Sequence, residues 1–297
     1  MDLQTFMQHL ANGISVGSLY ALIAIGYTMV YGILRLINFA HGDIFMMAAY
    51  FAFFGVAVFN LPWYVAFLLV IGITVILGAG IERVAYKPLR DAPKTSLLIS
   101  AIGVSFLLEN LATFLFSGKP KAFPDFPSMT KVLVINGVSI QVLTLVVPII
   151  ALVLLFILLF IINHTKLGMA MRAVSKDYEI AQVMGIKINN IIAYTFGIGS
   201  GLAAIGAILW GMKYPQVSPL MGVMPGLKCF IAAVIGGIGN IKGAVVGGFI
   251  LGLAEVLLVA AFSGLTGYRD AIAFILLIII LLVRPTGLLG EKTAEKV

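Results

Sequence analysis

The sequence predicts an all-α fold: a polytopic helical membrane protein of about eight transmembrane helices plus a short or re-entrant helix. Three observations carry that expectation. Hydrophobic residues fill 61% of the 297 positions and charged residues only 10%, so the chain cannot clothe a water-facing surface. Apolar runs of about 20 residues, the length that crosses a bilayer as a helix, recur along almost the whole chain. The short alternating segments of a membrane β-barrel do not occur.

Read against their breaks, the apolar runs place helices at about 10–33, 44–59, 63–83, 96–116, 140–162, 190–212, 225–238, 243–262 and 269–283. No Lys or Arg precedes the first run and no small-residue cleavage pattern follows it, so it is expected to be a retained span. The second and seventh hold roughly 15 residues each, below the ~17 needed for a perpendicular crossing. Pro225 and the glycines of "GGIGN" flank the seventh, as a re-entrant half helix would require. Single Cys229 excludes an internal disulfide.

The net charge of +7 is a question of sidedness in such a chain, and no partner nucleic acid is implied. Arg83, Lys87, Arg90, Lys94, Lys166, Arg172, Lys176, Lys187, Arg284, Lys292 and Lys296 fall in the loops 83–95 and 164–189 and in the tail. The loop 117–139 holds only Lys119, Lys121 and Lys131. The positive-inside rule, applied to eight crossings, puts the opening stretch in the cytoplasm. Extramembrane segments of about 20 to 25 residues are too short to bury a core of their own. There is no Gly-rich loop followed by Lys and Ser or Thr, no metal-ligand cluster and no G-x-S-x-G nucleophile. ATP-driven movement would therefore need an ATPase on another chain.

A polar run interrupts the apolar pattern: "RAVSKDYEIAQVMGIKINN", Arg172 to Asn190. Asp177 is a good N-cap and Gly185 a good left-handed stop, which brackets about two helical turns. Val174, Tyr178, Ala181 and Met184 share one face by helical spacing, with Lys176, Glu179 and Gln182 turned elsewhere. Such an apolar stripe suits either an interfacial helix on lipid headgroups or a knob docked into another protein, and spacing does not choose between them.

Polar groups inside the spans need satisfaction. In "NFAHGD", capping of the second helix accounts for Asn38 and above all for Asp43, with His41 at an interface. Alternatively Asn38 and His41 line a passage or bond two helices together. Glu109 with Asn110, and Glu255, lie in otherwise apolar spans and should face protein or water. Structural pairing, for instance of Glu255 with Arg269, is the first reading, and contact with the amino group of a zwitterion the second. Gly236, Gly237, Gly239, Gly243, Gly247, Gly248 and Gly252 include two G-x-x-x-G spacings that let backbones approach closely.

Glu179, Ala181 and Gly185 match the E-x-A-x-x-x-G core of the cytoplasmic coupling loop of ABC importer permeases, although the I-x-L-P that often closes that loop is missing. "GSLYALIAIGYTMVYGILRLINFAHGD" (Gly17 to Asp43), "IERVAYKPLR" (Ile81 to Arg90), "LISAIGVSF" (Leu98 to Phe106), "AAVIGGIGNIKGAVVGGFILGLAE" (Ala232 to Glu255) and "RPTGLLG" (Arg284 to Gly290) resemble the branched-chain amino acid ABC transporter permease family, in the first of its two membrane subunits. The resemblance implies a single transmembrane permease domain over 1–297 with a coupling loop at about 164–189, in which Arg172, Asp177, Tyr178, Glu179, Ala181, Met184 and Gly185 engage an ATPase. It implies a second homologous permease chain, two cytoplasmic ATPases that bind ATP and Mg, an extracytoplasmic substrate-binding protein and a bacterial inner membrane. This chain itself is expected to carry no cofactor and to be no enzyme. Permeases of urea and short-chain amide importers are similar enough to leave the cargo open. A secondary transporter would instead show inverted repeats, which are not found.

Overall fold

A computed structural model describes residues 2–290 apart from Asp91 and Asn136; Lys292 and Lys296, counted above with the tail, lie outside the described residues. Twelve α-helices follow in order: α1 (Leu3–Leu34), α2 (His41–Phe53), α3 (Trp63–Ile81), α4 (Lys94–Phe116), the single turn α5 (Pro127–Thr130), α6 (Val142–His164), α7 (Lys166–Lys176), α8 (Tyr178–Val183), α9 (Ile188–Lys213), α10 (Val223–Gly236), α11 (Ile241–Ala261) and α12 (Arg269–Val283). Two small antiparallel pairs complete it, β2 (Val132–Ile135) with β3 (Val138–Gln141), and β1 (Lys121–Ala122) with β4 (Gln216–Val217). Among the described residues eight helices are long and apolar enough to cross a membrane, so the chain is a multi-pass membrane protein. A π-helical turn over Phe54–Val58 extends α2 to an 18-residue span. The short helix is therefore α10, whose 14 residues cover about 21 Å of a hydrocarbon core about 30 Å thick.

Helix α1 is the axis of the fold. Its most apolar window is 94% buried, against 22% for α3 and α4 and 17% for α6, whose large apolar side chains face outward as a lipid-exposed shell would. Small residues let α11 lie directly on α1: Gly248 stands so close that a Cβ would sit 2.5 Å from the Ala21 nitrogen, and one on Gly252 would overlap the backbone of Gly17. One turn away, Gly243 and Gly247 present the same absence of side chain to Gly236 and Ala232 of α10. The spacings Gly243–Gly247 and Gly248–Gly252 are thus consumed within the chain. Gly252→Val forces two buried backbones apart and is expected to lower stability by about 1–3 kcal/mol, read as a drop in melting temperature in detergent. An unchanged melting curve would contradict this packing.

The sidedness departs from the expectation. Gly137, at the β2–β3 turn, lies against the Gln4 side chain, and α1 packs on β3, so the opening stretch shares a face with the loop 117–139. The far end of α1 belongs to the opposite face. There Gly32 meets Gly239, and Val174 of α7 joins Met29 and Val30 in one apolar cluster. Leu288 and Leu289 donate backbone hydrogen bonds to Ile235 and Gly236, both 2.9 Å, which brings the start of the tail to that same end. Arg35, Arg83, Lys87, Arg90, Lys94, Lys166, Arg172, Lys176, Lys187, Lys242 and Arg284 therefore gather at one end, and the positive-inside rule makes it the cytoplasmic one. The opening stretch starts on the other side. Expectation erred because the irregular stretch 214–222 runs inward from β4 and delivers the chain to α10, so the short helix completes a traversal and the number of traversals is odd.

Two irregular stretches lie at membrane depth. His41 packs against Gly26, about two turns short of the inner end of α1, so residues 35–40 climb back beside it without helical hydrogen bonds. Such backbone is tolerated only inside protein or along an aqueous path, and Leu36, Asn38 and Ala40 are all buried. The start of α10 meets the start of α2 there, with Gly222 and Gly226 in backbone contact with Gly42.

Candidate functional site: a docking helix and buried polar links

On the cytoplasmic face the chain turns twice between α6 and α9. Thr165 caps α7 by accepting a hydrogen bond from the Gly168 amide, 3.1 Å, and the Arg172 guanidinium closes the corner by donating to the Ile162 carbonyl at the end of α6. Asp177 adopts an extended conformation, stops α7 and caps α8 through the Ile180 amide at 3.0 Å. Gly185, at φ +82°, ends α8 while the Ile186 amide returns to the Ala181 carbonyl at 3.1 Å. The bracket read from the sequence is thus realised at both ends.

The apolar stripe is not. Val174 and Ala181, 2% and 3% exposed, point into the permease against Met171, Ile188 and Ile191. Tyr178 and Met184 face outward instead, joined by Ile180 and Val183, which are 63% and 86% exposed. The expected stripe runs as one helix through Val174, but the break at Asp177 resets the phase. Restarted at Tyr178, the spacing Ile180, Val183, Met184 falls on one face by the i, i+3, i+4 rule and was there to be read. Exposed Glu179 borders this patch, whereas Arg172 serves the loop corner.

Within the spans several polar residues are joined to one another. The Tyr86 hydroxyl donates to Asn38 Oδ1 at 2.7 Å, tying the buried stretch 35–40 to the π-helical turn Glu82–Tyr86 that follows α3. His41, fully buried, stacks edge-on to Tyr27 at 4.7 Å between ring centroids. Neither Asn38 nor Asp43 caps α2: its N-cap is Ala40, with no side-chain hydrogen bond. Asp43 instead accepts a hydrogen bond from Ser105 of α4, because its place in the first turn aims the carboxylate sideways at the neighbouring helix. Glu109, one turn beyond Ser105, is half-buried and within electrostatic range of Asp43. Asn110 is exposed and satisfies itself on the Phe106 carbonyl, 2.7 Å. Among the described residues no three His, Cys, Asp or Glu side chains converge as a metal site would need.

Glu255 is fully buried and bonded on both oxygens. Oε2 accepts from the Tyr20 hydroxyl at 2.8 Å, while Oε1 accepts from Lys228 at 2.8 Å and from Arg269. Lys228 also reaches Asp270 Oδ1 at 2.6 Å. Pairing with Arg269 is legible in the sequence, whereas Lys228 is a partner that the sequence reading does not include. A lone cation in "VMPGLKCFI" needs a counter-charge as surely as the lone carboxylate of α11 does, and that symmetry was the missed signal.

A family profile described as "Branched-chain amino acid transport system / permease component" matches residues 9–281. The chain belongs to that family. Across this family the chain is 43% identical to the high-affinity branched-chain amino acid transport system permease protein BraD of Pseudomonas aeruginosa, over 100% of this chain and 99% of that one. It is 41% identical to the corresponding permease protein LivH of Escherichia coli over 98% of each. Among solved structures it is similar to a chain of PsaBC from Streptococcus pneumoniae in complex with Fab, with a TM-score of 0.48 and 14% identity over 95% of this chain and 92% of that one.

Proposed function

We propose that this family member is the membrane-spanning subunit of an ATP-driven importer of leucine, isoleucine and valine in a bacterial inner membrane. Its partners are a second permease chain, two cytoplasmic ATPases that carry ATP and Mg, and an extracytoplasmic substrate-binding protein. The observation that carries this reading is α8, a capped helix on the basic face with Ile180, Val183 and Met184 bare. Six residues are too few for a helix to hold itself in water, so α8 is held by Ala181 below and wants cover above. A groove on an ATPase supplies that cover, and α7 and α9 carry its displacement to α6 and to the core. The permease domain takes in the whole chain, with 164–189 as its coupling loop. The names of the relatives support the cargo.

Reconstitution of the full complex in liposomes is the test. Leucine uptake is expected only with ATP inside and intact ATPases, and isoleucine and valine should compete where urea and acetamide do not. Leucine uptake that persists without the ATPases would overturn the reading.

A further inference from the structure

The buried pairs around Glu255 belong to a larger polar cluster on the extracytoplasmic half, to which α1, α9, α10, α11 and α12 all contribute. Ser15 and Tyr20 come from α1, Trp210 and Lys213 from α9, Lys228 from α10, Glu255 from α11, and Arg269 and Asp270 from α12. Its charges do not cancel. Glu255 and Asp270 neutralise Lys228 and Arg269, which leaves Lys213. The Lys213 ammonium donates to the Ser15 hydroxyl at 2.8 Å and, among the described residues, has no carboxylate, while the Arg269 guanidinium is close enough to act on it electrostatically. Two neighbouring cations half-withdrawn from water repel each other unless an anion comes between them. Access exists from outside, since the Arg269 and Asp270 side chains are 36% and 53% exposed.

We propose that Lys213 and Arg269 form an extracytoplasmic site for the α-carboxylate of the arriving amino acid, an assignment that rests on the import function proposed above. Arg269 is already oriented by Glu255 and by a side-chain hydrogen bond to Tyr214, so its guanidinium is held in place, and Lys213 is fixed by Ser15. A carboxylate bound between the two cations balances the cluster. Trp210 reports on it directly, for its ring lies 4.8 Å from that of Tyr214, beside Lys213, and 6.0 Å from that of Tyr20.

The chain has two tryptophans, and Trp63 lies on the outward surface of α3, so Trp63→Phe leaves Trp210 as the sole reporter in the purified full chain in micelles. Leucine and isovalerate, which carry the carboxylate, are expected to change its emission saturably, whereas isoamylamine, which lacks it, should not. Lys213→Met should raise the half-saturating concentration roughly tenfold or more, and Lys213→Arg should restore it. A response to isoamylamine alone, or one unaltered in Lys213→Met, overturns the site; the comparison of isovalerate with isoamylamine needs no charge variant and survives if Lys213→Met fails to fold. A response to phosphatidylglycerol added to the micelles, with none to leucine, overturns it in favour of a lipid phosphate. Leucine uptake by the complete transporter, run in parallel, separates the failures: uptake with a silent Trp210 sinks this site alone, and absence of leucine uptake sinks the function on which it rests.

Discussion

Val183→Glu is expected to abolish uptake by the assembled transporter while the protein inserts and melts as before. Val183 is 86% exposed on α8, so the substitution removes no internal contact, and surface changes of this kind stay within about 0.5 kcal/mol. Against a partner the same side chain brings a carboxylate into an apolar contact beside Ile180 and Met184, at a cost of several kcal/mol. The ATPases should then hydrolyse ATP without driving transport and should fail to copurify with the permease. Ala181→Glu provides the contrast, since Ala181 points inward against Ile188 and Ile191 and the charge would damage the permease fold itself. Gly185→Pro combines both faults, because proline cannot take the φ of +82° that ends α8. Wild-type uptake by Val183→Glu at normal expression would exclude α8 as the docking element, and a variant lost from the membrane would show that the face is not free.

The reach of sequence reasoning here divides along the range of the interactions involved. Span positions, the Asp177 cap and the Gly185 stop are local, and each was legible from neighbours within a few residues. The paired G-x-x-x-G spacings announced close approach, though not that Gly248 and Gly252 meet α1 while Gly243 and Gly247 meet α10. Sidedness was misread because it depends on a parity, and one irregular stretch, 214–222, reverses it. Asn38 and Asp43 read as caps by position, yet their partners Tyr86 and Ser105 lie 48 and 62 residues away. No periodicity encodes such distances. Intramembrane energetics come nearest, since they require every buried charge to find an opposite one, and that rule alone would have matched Lys228 with Glu255.

Glu255→Gln should be the most damaging single change to the folded permease. The carboxylate answers Lys228 and Arg269 together, and it is fully buried, so its neutralisation leaves two cations without their shared anion in a low-dielectric interior. Removal of one partner from a buried ion pair costs about 3–5 kcal/mol, a large part of the stability of most proteins. Asp270 offsets part of this for Lys228, with which it pairs at 2.6 Å. The same change keeps the acceptor for the Tyr20 hydroxyl, because the amide oxygen of Gln can take that hydrogen bond, so the loss reports charge and not shape. A lower melting temperature in detergent and a reduced yield of assembled complex are expected, with the order of preference among leucine, isoleucine and valine unaltered. Lys228→Met in the Glu255→Gln background should recover part of the stability, since it removes one of the two cations that shared Glu255 and replaces it with a side chain of similar reach. Additive losses in the double variant would separate the two residues energetically, and a changed order of cargo preference would move Glu255 from the scaffold into the passage.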